Sequence, residues 1–354
     1  MKILVVGDGH SAIHEVAVVD AFKQLGHEVN SFYWHSYFKS GNSFRRLLRR
    51  VQNKFLIGTT VNKLNSELVE KAIQYKPKLI FIYRGTHIKP RTLVSLKCAL
   101  PNCEVFGYNN DNPFATGHPP WLWRHFIKSI PIYDLVFAYR HHNLDDFVKC
   151  GANRVELLRS WFIPELNHPI SLSEEDKLKY ECDVVFIGHY ENDGRIEYLE
   201  EIVKAGYALR IFGPPYEWNK LLLRSKPLKH LAPVHLIWND DYSKAISGAK
   251  LALCFFSKLN RDTYTRRCFE IPATGTMLLS EYSDDIASLY KAGKEADFFE
   301  TKKEMINKVK IYLENDDLRL QVAEGGYQRV VHDGHDILSR MAKVVELVGS
   351  NTTL

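Results

Sequence analysis

The chain is expected to be an α/β protein of two domains, each a parallel sheet with helices on its faces. Three observations carry this. Apolar runs without alternation recur at 3–6, 79–83, 184–187 and 251–256, as in strands buried on both faces. Between them lie stretches with apolar residues at helical spacing, so strands and helices alternate, which implies parallel sheets with right-handed crossovers. The length of 354 residues, with 45% apolar and 25% charged residues, suits two soluble cores of ordinary size.

The elements follow in order. A strand at 2–6 runs into the loop Gly7-Asp8-Gly9-His10-Ser11, then a helix carries Val16, Val19, Phe22 and Leu25 to a stop at Gly26. The next strand begins at Glu28. This is a mononucleotide-type βαβ unit, and because Ala12 stands where a third glycine belongs, it is not a dinucleotide fingerprint. Residues 43–56 form a basic amphipathic helix: Phe44, Leu47, Leu48, Val51 and Phe55 make one stripe, flanked by Arg45, Arg46, Arg49 and Arg50. Such a helix either lies on an anionic membrane, using the segment Arg45 to Lys54, or packs its stripe on the domain with the arginines solvated. A helix at 66–76, a strand at 79–83, a short helix at 91–97 and a strand at 104–108 come next. A strand at 135–139 and a helix ending before Gly151 complete the first series.

The prolines at 164 and 169 and the charged run 173–177 place the interdomain connection near 165–180, giving domains of 1–168 and 169–334. The second series has strands at 182–188 and 209–213, a strand near 235–238, then 251–256 and 277–281. Helices occupy 196–203 and the segments after 302, and an amphipathic helix spans 335–348.

The first 168 residues hold 22 Lys and Arg against 13 Asp and Glu, whereas the remainder holds 25 against 29. Only the first half attracts anionic partners. The six cysteines lack metal-ligand spacing and suit a reducing cytosol. No apolar run reaches the ~20 residues that span a bilayer, and the N-terminus starts directly on a strand, so a cytoplasmic protein without a signal peptide is expected. The expected location is the cytoplasm, with peripheral attachment at the inner face of the membrane as an option.

The stretch 258–275 carries the chemistry. It follows an apolar strand and leads into a short helix, so it lies at a strand's carboxyl end, where open α/β sheets bind ligands. It offers Asp262, Arg266, Arg267 and Glu270. Arginines bind phosphate by charge-assisted hydrogen bonds and carboxylates accept from sugar hydroxyls, so the set suits a nucleotide sugar.

Arg267-Cys268-Phe269-Glu270, followed by Ala273 and Gly275, resembles the donor-site signature of GT-B glycosyltransferases of the CgeB (spore-maturation) type. The spacing is also similar to the Glu-x7-Glu motif of glycosyltransferase family 4, with Asp262 in place of the first Glu. The resemblance implies two Rossmann-like domains facing a cleft, with the last helix crossing back to the first domain. It implies that Glu270 holds the ribose and Asp262 faces the donor sugar. The loop after 182–188, with Gly188 and Arg195, resembles the first loop of the GT-B donor domain, whose amides and helix N-terminus meet the diphosphate. Arg195 either adds a phosphate contact or is structural. Gly213 ends the next strand, and Trp238 either closes the base pocket or belongs to the core. The resemblance further implies transfer with retention, to a hydroxyl on a glycan, lipid or protein, in cell-surface glycan biosynthesis.

On the acceptor side the polar strand ends Asp8, His10, His87 and Asp111 are expected to hold a hydroxylated substrate, with His10 or Asp111 as the base. With no metal signature and no cofactor expected, Arg267 is the group that meets the charge on the departing diphosphate. UDP- or GDP-type donors are the expected ligands, and nucleic acid is not an expected partner. A nucleotide-sugar epimerase, a non-catalytic nucleotide-sugar binder and a nucleic-acid binder are the competing functions.

Overall fold

β1 (Lys2–Gly7), β2 (Glu28–Tyr33), β3 (Leu79–Tyr83), β4 (Glu104–Asn109), β5 (Leu135–Ala138) and β6 (Val155–Leu157) form a parallel sheet in the order β2-β1-β3-β4-β5-β6. β7 (Cys182–Ile187), β8 (Leu209–Phe212), β9 (Ala249–Cys254), β10 (Met277–Glu281) and β11 (Asp297–Phe299) form a second, ordered β11-β10-β9-β7-β8 and also parallel. This computed structural model describes residues 1–39 and 43–350. The apolar runs are strands for the expected reason: every residue of β3 is buried, covered by helices on both faces.

The chain divides into two units. The first comprises Met1–Ser160 together with the chain from Ile337 onward, and the second is Trp161–Asp336. The Ile337–Glu346 helix thus returns to the first unit, where it packs on the Ala17–Gln24 helix and buries Ile337, Met341 and Val344. Each unit has its own core, built around Leu4, Ile80 and Val136 in the first and Val184, Leu251 and Leu279 in the second.

Both sheets are wound alike. The second strand is laid outside the first, the chain then crosses to the first strand's other side, and later strands continue that way. The reversal falls between β1 and β3 in one unit and between β7 and β9 in the other. Loops leaving the two strands at a reversal diverge, and ligands of doubly wound sheets bind there.

Three expectations need correction. No strand forms at 235–238: the segment is irregular, with Leu236 and Trp238 exposed. The helix expected at 66–76 spans Thr59–Tyr75. The edge strands β6 and β11 were not foreseen, because three residues are too few for a periodic signal.

Candidate functional site

In the second unit the reversal brings the loop after β7 against the loop after β9. The amides of Lys258 and Leu259 donate to Glu191 Oε2 (2.8 and 3.4 Å). Glu281, at the end of β10, accepts from the amide of Phe256 (2.6 Å) and from Lys258 Nζ (3.0 Å). Two carboxylates therefore fix the start of the 257–266 loop. Asp262, half-buried, is held through its amide to Ser257 O (2.8 Å).

The loop ends in the Arg267–Ala273 helix, whose residues from Cys268 onward are buried. Glu270 accepts from the phenol of Tyr242 on Oε2 (2.7 Å) and pairs through Oε1 with Arg266 Nε (3.0 Å). Burial, then the neighbouring Glu270 charge, raises the Tyr242 phenol well above its ordinary range, so it stays a donor. Arg266 also lies over the Trp161 ring, 5.6 Å from its centroid. Arg267 donates from Nη2 to Phe255 O (3.3 Å), and its Nε is buried without a hydrogen-bond partner among the described residues. Behind it, Cys254 and Cys268 lie with sulfurs 3.8 Å apart. The hydrogen bond from Cys268, followed by the Arg267 charge, draws the Cys254 thiol down to about 6 against the effect of burial.

Gly188 and Gly213, at the ends of adjacent strands, make this packing possible. A Cβ on Gly188 would lie 2.8 Å from Arg267 Nη1, and one on Gly213 would lie 2.3 Å from Gly188 O. Trp218 Nε1 donates to that same carbonyl (2.9 Å).

Of its two expected roles, Arg195 has the bonds of the structural one. It is 3% exposed, donates to Asp193 from Nε (2.8 Å) and Nη2 (2.6 Å), and reaches His189 O from Nη1 (2.6 Å). Burial opposes the Asp193 charge, but Arg195 keeps that carboxyl below its usual range. The guanidinium thus braces its own loop. Trp238 is 61% exposed, which removes the core reading and leaves a surface indole.

In the first unit the strand ends align along one edge of the sheet. Asp8 bonds His10 Nδ1 through Oδ2, and His35 Nδ1 lies 3.5 Å from Oδ1. The loop is held from below by buried Glu15, whose Oε1 accepts from the amides of Asp8 (2.6 Å) and Gly9 (3.1 Å). The ligand atoms of Asp8, His10 and His35 lie within 4.8 Å of one another, so two imidazoles and a carboxylate are the group among the described residues suited to a divalent cation. Asp111, at the end of β4, pairs with Arg84 Nη2 at the end of β3 (2.5 Å).

His87 is not an acceptor-side group. It is buried between Trp34 and Phe38, with Nε2 donating to Asn53 Oδ1 (2.8 Å) and Nδ1 accepting from Thr86 (2.9 Å). Burial, aided by the His125 and Arg84 charges, pushes its pKa down to about 3, so it is neutral. Sequence reasoning missed His35, Arg84, Tyr242, Glu191 and Glu281. Arg84 and Glu281 each stand where an apolar strand ends, a positional signal that was there to be used; Tyr242 gave none.

Residues 195–346 match a family model described as glycosyl transferase-like. A search of curated proteins finds no match. Solved structures match along nearly the whole chain. The Anabaena protein HepE, in complex with UDP and glucose, aligns with a TM-score of 0.68 at 14% identity, covering 99% of this chain and 100% of its own. A sucrose-phosphate synthase from Thermosynechococcus elongatus gives 0.69 at 10% identity, covering 98% of both chains. A glycosyltransferase from Rickettsia africae gives 0.65 at 12% identity, covering 99% of both. At these identities the likeness establishes the fold, the two-domain GT-B architecture.

Proposed function

We propose that this protein transfers a sugar from a nucleotide-sugar donor to a hydroxyl acceptor. The observation that carries the reading is the glycosyl transferase-like match over 195–346, which contains Asp262, Arg266, Arg267 and Glu270 in the loop and helix after β9. HepE bound to UDP-glucose supports a uridine diphosphate sugar as the donor.

The second unit holds the donor. Arg267, with Arg266 beside it, faces the diphosphate and offsets the charge released as the bond from the anomeric carbon to phosphate oxygen breaks. Glu270 keeps lone pairs for the ribose hydroxyls beyond those used by Tyr242 and Arg266. Asp262 faces the sugar. Arg195 positions the loop through Asp193 and His189.

The first unit holds the acceptor. His10 gives Nδ1 to Asp8, which leaves Nε2 to take the acceptor's proton as its oxygen attacks. Asp111, oriented by Arg84, accepts from another hydroxyl. The family 4 resemblance implies retention, in which the departing diphosphate takes that proton. The Asp8–His10 pair favours inversion, and the product's anomeric configuration, read by proton NMR, distinguishes the two. Arginines in place of a metal neutralise the leaving group, so turnover in a chelator is expected to persist.

Thermal-shift measurement with a panel of UDP- and GDP-sugars tests the assignment. A donor at 100 times its Kd stabilises the native state by about 2.7 kcal/mol. Glu270→Ala is expected to abolish that shift. A panel in which no nucleotide sugar raises Tm sinks the reading, and conversion of the donor without any acceptor replaces it with an epimerase.

A further inference from the structure

The Ser43–Phe55 helix presents an apolar stripe to solvent. Phe44 is 75% exposed, Leu47 59%, Leu48 49% and Val51 45%. Monomeric proteins seldom leave several large apolar side chains together in water. The same helix carries Arg45, Arg46, Arg49, Arg50 and Lys54 and no acidic residue.

Its attachment to the first unit is polar and lies on another face. Gln52 is buried and accepts from the amide of Thr60 (2.8 Å), and Asn53 accepts from His87 (2.8 Å). At 100° per residue the stripe's centre lies roughly 135° around the helix from the direction of this pair. The helix is therefore fixed by its polar side with its apolar side turned out. Its C-terminal end is pinned by Arg124, which donates to Phe55 O (2.6 Å) and Leu56 O (2.9 Å), and Phe55 meets Trp121 at 5.1 Å between ring centroids.

We propose that this helix docks the protein on an anionic lipid bilayer. The stripe enters the boundary between headgroups and acyl chains, and the exposed cations Arg46, Arg50 and Lys54 reach headgroup phosphates, Arg50 and Lys54 from beside the stripe. The inference is independent of the transferase reading. A nucleic acid would engage the cations but leave Phe44, Leu47, Leu48 and Val51 in water. An anionic membrane surface satisfies both faces at once, and each cation near it contributes about 1 kcal/mol.

Co-sedimentation of the full chain with vesicles tests this. Binding is expected to phosphatidylcholine vesicles containing phosphatidylglycerol and not to phosphatidylcholine alone. Two variants should weaken it at least about tenfold with Tm unchanged: Leu47→Ser/Leu48→Ser/Val51→Ser, and Arg46→Gln/Arg50→Gln/Lys54→Gln. Each alters exposed positions only, so folding survives. Failure to bind anionic vesicles overturns the proposal. So does binding that persists in the serine variant, equal affinity for duplex DNA or RNA, or a concentration-dependent dimer that the serine variant abolishes.

Discussion

A methyl group placed on Gly188 would lie 2.8 Å from Nη1 of Arg267, so the guanidinium occupies space that glycine leaves open. The clash falls on the far end of a flexible side chain. Gly188→Ala is therefore expected to fold but to displace Arg267, with turnover falling toward the ~10²-fold loss typical of a lost charge-stabilising donor. Gly213→Ala meets the Gly188 carbonyl at 2.3 Å, where backbone must move. It is expected to cost about 1–3 kcal/mol, read as a lower Tm. Kinetics and calorimetry on the two variants separate the effects.

Arg195 and Arg267 should also part. Arg267→Ala is expected to lower turnover about 10²–10³-fold, measured at a temperature where the variant is still fully folded. Asp193→Ala leaves Arg195 buried without its carboxylate and is expected to destabilise by about 3–5 kcal/mol. Urea melts and steady-state kinetics on both variants check the assignment.

His87 predicts an acid-sensitive fold. Its folded pKa is about 3, below the 6.5 of the unfolded chain. Its contribution is therefore present above pH 6.5 and drains away as pH falls toward 3. Between pH 7.5 and 5 the loss is about 2 kcal/mol from this one group. Denaturant midpoints across that interval should fall in wild type and flatten in His87→Gln.

Asp8, His10 and His35 predict inhibition by zinc. The ion would take the imidazole proposed as the base, so micromolar Zn²⁺ should slow transfer and a chelator should restore it. His35→Ala is expected to blunt the inhibition while keeping turnover. His10→Ala should lower turnover about 10²-fold or more and leave the donor's thermal shift intact.

The strands were legible because burial on both faces writes itself as runs such as those of β3 and β9. The two edge strands β6 and β11 were not, since three residues are too few to write a period, even in β11 where all three are buried. Of the site, the residues that share one segment could be read: Arg266, Arg267 and Glu270 carry their spacing in the sequence. Tyr242, 28 positions from the Glu270 it bonds, could not, because its role comes from the packing of one helix on another. Arg195 and His87 looked like site residues by position, but burial turned both to structural work. Nothing in a local pattern reports burial of a single polar side chain.

The Ile337–Glu346 helix lies beside the Ala17–Gln24 helix although some 310 positions separate them. On the ribosome the opening 160 residues must wait, one helix flank uncovered, while the whole of the middle segment emerges and closes on itself. A nascent chain halted at residue 336 should then expose that flank to chaperones and proteases, and release of the last stretch should make the amino-terminal half resistant.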